Sequence, residues 1–267
     1  LAEHYANKED NLNPRYSFDN FVVGPYNELA HAAAQAVVKQ PGIVYNPLFI
    51  YGNTGHGKTH LIQAIGNYIK SHNKDTKVYY LTSEQFTTEF VAAINPNSPG
   101  QNQNKINSFK EKYRKYDVLI MDDIQFLSNK ERTQEELFHL FNALYGNNKQ
   151  IIFSSDKHPN YINNLEERLK SRFNQGMIVD IPKPDHESRM AILEAKFAKV
   201  GIRLNSDILD HLSQHIDGNI RELEGVVNSI VCQTQLKNKI LSFNEIKDVI
   251  KNSTKPKKMV SVSDLIE

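Results

Sequence analysis

The chain has 267 residues, 39% of them hydrophobic, which suits one large domain or two smaller ones with a sizeable core. Its formal net charge is +1, so the composition excludes binding of nucleic acid through a strong overall positive charge, and such contacts must come from local patches. No apolar run approaches the roughly 18 residues that a membrane-spanning helix needs.

The single cysteine, Cys232, excludes an internal disulfide, which fits a cytoplasmic protein. Its apolar neighbours predict a buried structural thiol. Because the chain begins with Leu1 rather than Met, we expect a fragment of a longer protein.

Short apolar runs predict the strands of a parallel sheet, with patterns typical of helices between them. The runs are residues 48–51, 77–81, 117–121, 150–154 and 177–181. This alternation predicts an α/β fold in which helices cover both faces of the sheet.

The segment Gly52–Thr59 fills the template G-x-x-x-x-G-K-[ST] between the first strand and a helix-like pattern over 60–70. Glycines let backbone N–H groups turn toward a phosphate, and the helix dipole favours an anion there. We expect Lys58 to reach the β- and γ-phosphates of a nucleotide and the Thr59 hydroxyl to bind Mg²⁺. A chance glycine turn is the alternative. The other residues predicted to surround the nucleotide here are Gly52, Asn53, Thr54, Gly55, His56, Gly57 and His60.

Acidic side chains follow two later strands. Asp122 and Asp123 end the strand 117–121, and behind a P-loop such acids hold Mg²⁺ and polarise the attacking water. Without the P-loop they would suit simple strand caps. Asp156 ends the next strand, where parallel sheets bind their ligands, but it could equally cap the following turn.

Arg168 and Arg172 lie four residues apart on a predicted helix, 164–173, and therefore share a face. Paired arginines can clamp a phosphate. The alternative is a solvated face on which they pair with Glu166 and Glu167.

A basic segment with interleaved aromatic residues precedes the third strand. Its members are Lys105, Phe109, Lys110, Lys112, Tyr113, Arg114, Lys115 and Tyr116. This mixture suits single-stranded nucleic acid, although an amphipathic helix with aromatic side chains in the core is the commoner case. The polar residues 95–104 before it predict a loop, and Lys130, Arg132 and Thr133 form a polar turn before a later helix.

After residue 183 the strand pattern ends and four helices are predicted. Asp185 caps the first and Gly201 ends it, the second covers 207–215, and capping boxes at Asn219 and Ser242 open the others.

These patterns predict three parts: a nucleotide-binding α/β domain over 1–183, a small helical domain over 184–253, and a linker with the start of a further domain over 254–267. Arg221 opposes the dipole at its helix N-terminus, which suggests a phosphate partner. An ion pair with Glu224 is the alternative.

Several motifs in order along the chain together resemble the bacterial replication initiator DnaA family. They are residues 18–24, 52–59, 119–126, 129–132, 168–173 and 219–225. The resemblance covers nearly the whole chain. It implies a P-loop NTPase of the AAA+ class, with a parallel sheet flanked by helices and a small all-helical lid.

The resemblance also implies roles for individual residues. Around ATP, these are Val23 and Gly24 beside the adenine, Lys58 and Thr59 on the phosphates and Mg²⁺, Asp122 and Asp123 as Walker B acids, and Asp156 as sensor 1. The arginines would be Arg172 as the finger presented to a neighbouring subunit's ATP, Arg168 in support of that interface, and Arg221 as sensor 2. The positions implied to contact single-stranded DNA are Val91, Lys130, Arg132 and Thr133.

The function that the resemblance implies is ATP-dependent initiation of replication. ATP-bound subunits would assemble head to tail on origin DNA, engage single-stranded DNA, promote duplex opening and switch off by slow hydrolysis to ADP. A second Walker B acid that is Asp rather than the longer Glu suits such a slow switch. Candidate partners of the longer protein are duplex origin boxes, through a further C-terminal domain, the replicative helicase and acidic phospholipids.

Two features depart from the family pattern. The segment 95–104 looks longer than usual, which affects the geometry expected around Val91, and the helix-turn-helix domain is expected beyond this chain. A helicase loader or initiator regulator with the same module is the alternative, and it would carry a helicase-binding N-terminal segment. A small-molecule kinase with a P-loop is the third alternative, and such a kinase would be a monomer with a pocket for the acceptor molecule.

Overall fold

The computed structural model describes residues 10–94, 102–216 and 218–253. The chain divides into two compact units, with the boundary between Lys183 and Pro184. Within the described ranges, no helix combines the length and the apolar character needed to cross a bilayer.

Five parallel strands form the centre of the first unit. They are β1 (Leu48–Tyr51), β2 (Val78–Thr82), β3 (Val118–Asp122), β4 (Gln150–Ser155) and β5 (Met177–Asp180). Their order in the sheet is β2-β3-β4-β1-β5. All five strands predicted from the sequence are present, with bounds that differ by at most one residue. The predicted α/β fold with a parallel sheet is confirmed.

Helices cover both faces of this sheet. They are α1 (Glu28–Lys39), α2 (Lys58–His72), α3 (Ser83–Ile94), α4 (Asn102–Arg114), α5 (Glu131–Tyr145) and α6 (Glu167–Asn174). Side chains alternate between the faces along a strand. Leu48 and Ile50 therefore pack in the cluster that contains α1 and α2, whereas Phe49 packs in the cluster that contains α3 to α6.

The aromatic residues of the basic segment belong to the core. Phe109, Tyr113 and Tyr116 are at most 7% exposed and pack against the sheet. They are not available to stack on nucleic-acid bases, and the amphipathic-helix alternative is confirmed. The predicted loop 95–104 is corrected in part, because α4 already begins at Asn102. Residues 95–101 lie outside the described ranges.

The second unit is helical. Its helices are α7 (His186–Lys199), α8 (Ser206–His215), α9 (Ile220–Lys237) and α10 (Phe243–Ser253). The predicted caps are present: the Asp185 carboxylate accepts from the Ser188 N–H at 2.7 Å, and the Asn219 side chain accepts from the Glu222 N–H at 3.0 Å.

Cys232 is a correction, because it is exposed rather than buried. On α9 the buried positions are Leu223, Val226, Val227 and Ile230. These follow the spacing of one helical face, and a residue two places after Ile230 points away from it.

Candidate functional site

Glycines shape the loop between β1 and α2. Gly52, Gly55 and Gly57 have positive φ values of 151°, 81° and 94°, which other residues rarely adopt. A Cβ atom on Gly52 would lie 2.3 Å from the carbonyl oxygen of Ile181, so no side chain fits there. Gly57 is the N-cap of α2, which places the positive end of the helix dipole at this loop.

The Lys58 side chain folds back over the phosphate-binding loop. The residue is 6% exposed, and its Nζ donates to the carbonyl oxygens of Gly52 at 2.6 Å and Asn53 at 3.0 Å. A buried ammonium group and inward-turned N–H groups fit the phosphates of a nucleotide.

Asp122 is the best-connected acid of the site. It is 2% exposed, and its carboxylate accepts hydrogen bonds from the Thr59 hydroxyl at 2.7 Å, the Tyr80 hydroxyl at 2.9 Å and the Asp123 N–H at 3.0 Å. The Ser154 hydroxyl also donates to it. Four donors therefore hold the carboxylate in one place.

The pair of Thr59 and Asp122 fits Mg²⁺. Its hydroxyl and carboxylate oxygens lie 2.7 Å apart at the end of the phosphate-binding loop, and Mg²⁺ prefers such hard oxygen ligands together with phosphates. Both residues were predicted as Mg²⁺ ligands, and the structure brings them together.

Tyr80 belongs to no motif that the sequence analysis identified. It lies on β2, whose residue Thr82 pairs with Asp122 on β3. Burial, reinforced by the negative charge of Asp122, raises the pKa of Tyr80 above its ordinary value of 10.0. The phenol therefore remains a proton donor to the carboxylate. No motif spacing could have revealed it, because the two residues meet only through strand pairing.

Gln125 connects the two other predicted acids. Its side-chain N–H donates to the Asp123 carboxylate at 3.0 Å, and its side-chain oxygen accepts from the Asp156 N–H at 3.2 Å. Ser155 and His158, rather than Asp156, accept the N–H groups of the following turn.

One carboxylate oxygen of Asp156 is buried without a hydrogen-bond partner among the described residues. A buried acceptor of this kind needs a donor. The side chain lines a cavity of about 570 Å³ at the carboxyl ends of β1, β4 and β5, together with Gly52, Asn53 and His56. Because this oxygen is shielded from water in this conformation, a rotation of the side chain would bring it to a donor in the cavity.

The His56 side chain is hydrogen-bonded to the residue that follows β5. Its side chain is buried, and Nδ1 donates to the Ile181 carbonyl at 3.0 Å. Burial lowers the pKa of His56, the positive charges of Lys58 and Lys183 lower it further, and the hydrogen bond to the Ile181 carbonyl opposes this shift. His56 also lines the cavity beside Asp156, so this hydrogen bond fixes its ring at the edge of the phosphate-binding loop.

The predicted adenine contacts lie on an N-terminal segment held against α2. The ring of His60 donates to the Ser17 carbonyl at 2.9 Å. Further along, the Gly24 N–H donates to the Asn27 side chain at 2.9 Å. Val23 is 46% exposed, so its side chain is free to contact a base.

Comparison with known proteins gives the same assignment. The family described as the bacterial DnaA ATPase domain matches residues 12–180, which is more than half of the chain. The chain belongs to the bacterial DnaA family.

Solved DnaA structures superpose closely. Domain III of the Thermotoga maritima replication initiation protein DnaA is 40% identical with a TM-score of 0.84, covering 92% of this chain and 99% of that one. DnaA from Aquifex aeolicus bound to AMPPCP is 39% identical with a TM-score of 0.76, covering 84% and 67%. A replication initiator DnaA bound to AMPPCP and single-stranded DNA is 38% identical with a TM-score of 0.76, covering 86% and 70%. The fold is therefore that of an AAA+ ATPase domain.

The two arginines on α6, Arg168 and Arg172, lie on the same face of the helix, as predicted. The guanidinium groups of Arg168 and Arg172 lie 4.9 Å and 5.7 Å from the centre of the Phe138 ring. Arg168 forms an ion pair with Glu166, as the solvated-face alternative proposed. Arg172 donates to the side-chain oxygen of Gln175 at 3.1 Å and forms no ion pair within the described part of the chain.

The structure does not bring Arg172 to the P-loop of its own chain. Shortly after α6, the Met177 N–H donates to the Pro47 carbonyl at 3.0 Å, so this region lies at the amino end of β1. Gly52 lies at the other end of β1, and a strand of four residues spans about 13 Å.

Arg221 lies exposed in the first turn of α9. The ion pair with Glu224 that was the alternative is not formed, and Glu224 instead accepts from Lys196 at 2.6 Å. The sensor 2 role of Arg221 remains a prediction.

The residues predicted to contact DNA are only partly accessible. Val91 is 51% exposed on α3, and Arg132 is exposed in the first turn of α5, next to its N-cap Lys130. Thr133 is 4% exposed, so its side chain is buried in the first turn of α5, and its contact with DNA remains a prediction.

Proposed function

We propose that this chain is the ATP-dependent assembly module of a replication initiator. Its ATP-bound subunits stack head to tail, the assembly binds single-stranded DNA to promote origin opening, and slow hydrolysis of ATP reverses it. The DnaA structure that is bound to AMPPCP and single-stranded DNA supports this proposal through its 38% identity to the chain.

The position of Arg172 is the observation that carries the assembly step. It lies toward the amino end of the sheet, while Gly52 and Lys58 lie at the carboxyl end. An arginine so placed serves an ATP molecule only if that ATP belongs to a second subunit. The lack of an ion pair to any described carboxylate leaves its charge available for that contact.

Within one subunit, the residues divide the work on ATP. Lys58 and the loop N–H groups bind the phosphates, while Thr59 and Asp122 hold Mg²⁺, which neutralises phosphate charge. Asp123 orients the attacking water, and Asp156 reports the γ-phosphate. The short Asp123 side chain and its hydrogen bond from Gln125 both limit its reach, which favours slow hydrolysis.

The test is the size of the assembly with a non-hydrolysable ATP analogue and with ADP, measured by size exclusion with light scattering. We expect assembly of the wild type only with the analogue. Arg172→Ala should bind nucleotide normally and remain a monomer. Lys170→Ala is the matched control, because it removes one positive charge from the same helix and its partner is Glu167 of the same helix.

A mixing experiment separates action between subunits from action within one. Lys58→Ala retains the arginine, and Arg172→Ala retains the P-loop, so their mixture should regain part of the ATPase rate. Arginine fingers contribute about 10³–10⁵ in rate in other NTPases, and we expect a smaller factor in a slow switch. No recovery at high protein concentration would place Arg172 within its own site and refute the assembly model.

Single-stranded DNA should bind to the assembly rather than to one subunit. Lys130 and Arg132 follow β3 closely in sequence, a placement that would link contact with DNA to the acids at the end of that strand. Each subunit contributes few positive charges and therefore binds DNA weakly. An assembly holds several such sites on one strand, so its overall affinity for DNA is higher.

Anisotropy of a labelled oligonucleotide tests this. We expect binding with the ATP analogue, weak binding with ADP, and loss in a Lys130→Ala/Arg132→Ala variant that still assembles. Wild-type affinity in that variant would move the site elsewhere. A Lys110→Ala/Arg114→Ala variant is the comparison, since those residues lie on α4.

A further inference from the structure

A lysine-lined pocket lies at the amino edge of the sheet, at the opposite end of the strands from the P-loop. It has a volume of about 430 Å³ beside Val78, the first residue of β2. Its basic residues are Lys70, Lys74, Lys77 and Lys115, which we call the lysine pocket. They come from the end of α2, the turn before β2 and the segment after α4, so three separate parts of the chain place positive charge around one concavity.

Asp10 gives this pocket a fixed wall. Its backbone carbonyl accepts from the Tyr80 N–H at 2.9 Å, which attaches it to β2, and its carboxylate accepts from the Leu12 N–H at 3.0 Å. The same carboxylate forms an ion pair with Lys70. Asp10 therefore neutralises Lys70 and has little capacity left for the other lysines.

The carboxylate of Asp117, near the pocket, also has partners already. Its carboxylate accepts from the Lys77 backbone N–H at 3.0 Å and pairs with the ammonium group of Lys149 at 3.4 Å. The ammonium groups of Lys74, Lys77 and Lys115 form no ion pair with any residue that the structure describes. The lining of the pocket therefore carries three positive charges that have no carboxylate partner in the described part of the chain.

The neighbouring helix α4 shows the contrast. Lys110 pairs with Glu136 at 3.3 Å, and Lys112 pairs with Glu89 at 2.6 Å. The basic character that the sequence indicates for this helix is thus partly neutralised by carboxylates. Among the described residues, neither Arg114, the last residue of the helix, nor Lys115 after it has a carboxylate partner, and the Lys115 ammonium group lies 5.1 Å from the centre of the Tyr116 ring.

We propose that the lysine pocket is a second binding site for the phosphate backbone of nucleic acid, and that it acts independently of the bound nucleotide. Ammonium groups attract phosphates as point charges without reading sequence. The five residues of β2 separate the pocket from the carboxyl edge by about 17 Å, so an ATP molecule on the P-loop does not touch it.

The lining favours nucleic acid over an acidic membrane. Surfaces that bind lipid bilayers insert exposed apolar side chains beside their basic residues. The apolar residues here, Val78 and Tyr116, are only 3% and 7% exposed. The pocket therefore offers charge and concavity but no apolar anchor.

The test compares two triple variants that each remove three positive charges. The pocket variant is Lys74→Gln/Lys77→Gln/Lys115→Gln. The control variant replaces exposed lysines elsewhere, Lys39→Gln/Lys247→Gln/Lys251→Gln. Binding of a labelled duplex of arbitrary sequence is measured by anisotropy in ADP over a salt series that starts at low ionic strength.

Each neutralised phosphate contributes about −0.9 to the slope of log K against log salt for duplex DNA, so the pocket variant should have a slope shallower than the wild type by about 2.7. The control variant should keep the wild-type slope. Wild-type binding should be equal in ADP and in the ATP analogue at a protein concentration where no assembly forms.

Equal slopes for the pocket variant and the wild type would overturn the proposal. So would a pocket variant that loses binding to phosphatidylglycerol vesicles but keeps its affinity for DNA. The Lys130→Ala/Arg132→Ala variant should retain the binding measured in ADP. This separates failure of the lysine pocket from failure of the ATP-dependent site for single-stranded DNA.

Discussion

The hydrogen bond from Tyr80 to Asp122 makes Tyr80→Phe a direct test of the acidic centre. The substitution deletes the phenol oxygen, which lies 2.9 Å from the carboxylate, and keeps the ring. The ring packs against the core cluster beneath β2, so the apolar contacts persist. The effect therefore combines the loss of one donor to a carboxylate that is 2% exposed with the loss of the hydrogen bond between the phenol and the Gln63 side chain.

The expected loss follows from the number of donors. A hydrogen bond to a charged group contributes about 1.5–3 kcal/mol to stability. Thr59, Ser154 and the Asp123 N–H remain as donors, so we expect the lower part of that range. For a chain of this size, ~1.5–2 kcal/mol at about 2–4 °C per kcal/mol corresponds to a fall of about 3–8 °C in the melting temperature.

The pH dependence identifies the hydroxyl group itself. Because the pKa of Tyr80 is raised above 10.0, its stabilising contribution is complete below pH 10 and is lost as pH rises further. The difference in stability between the wild type and Tyr80→Phe should therefore be constant from neutral pH to about pH 9 and shrink above pH 10. Tyr113, whose pKa burial also raises, affects both proteins equally.

Thermal denaturation followed by circular dichroism measures these differences. Tyr145→Phe is the matched control, because Tyr145 is 42% exposed and stacks on Phe141. It should leave the melting temperature unchanged. Equal melting temperatures for Tyr80→Phe and the wild type, or a difference that persists undiminished at high pH, would refute the reasoning about Asp122.

Three further substitutions test other parts of the structure. Lys58→Ala should weaken ATP and ADP binding by about 10- to 150-fold, since hydrogen bonds to charged groups contribute about 1.5–3 kcal/mol. Unchanged affinity in a fluorescence titration would contradict the P-loop assignment. Gly52→Ala should abolish nucleotide binding and lower the melting temperature, because its Cβ would lie 2.3 Å from a backbone carbonyl oxygen, whereas Gly225→Ala, with no atom within 4 Å, should be neutral or stabilising. The hydrogen bond from Lys237 and further donors lower the pKa of Glu245 to about 2, so its contribution to stability is present above about pH 4.5 and lost as pH falls toward 2. Glu245→Gln should flatten this part of the pH profile in urea denaturation, and an unchanged profile would exclude Glu245 as its source.

Features that depend on neighbouring residues could be predicted from the sequence. The P-loop is one contiguous segment between a strand and a helix, and both the glycines and Lys58 have the predicted conformation or contacts. Helix caps at Asp185 and Asn219 follow from spacings of three residues, so the bounds of those helices were also close. Strands were predicted to within one residue because each is a short apolar run buried on both faces of a parallel sheet.

Contacts between distant residues were decided only by the tertiary structure. Tyr80 reaches Asp122 because β2 pairs with β3, and His56 reaches Ile181 because the P-loop crosses the end of β5. Whether an arginine such as Arg172 can reach its own ATP depends on which end of the sheet its helix approaches.

Burial of individual side chains also depended on the fold. Cys232 lies in an apolar stretch yet is exposed, and Thr133 lies in a polar turn yet is buried. Composition gives the number of apolar and charged residues, but packing decides which face of a helix is covered. The lysine pocket has the same origin, since its charges meet only where α2, β2 and the end of α4 come together.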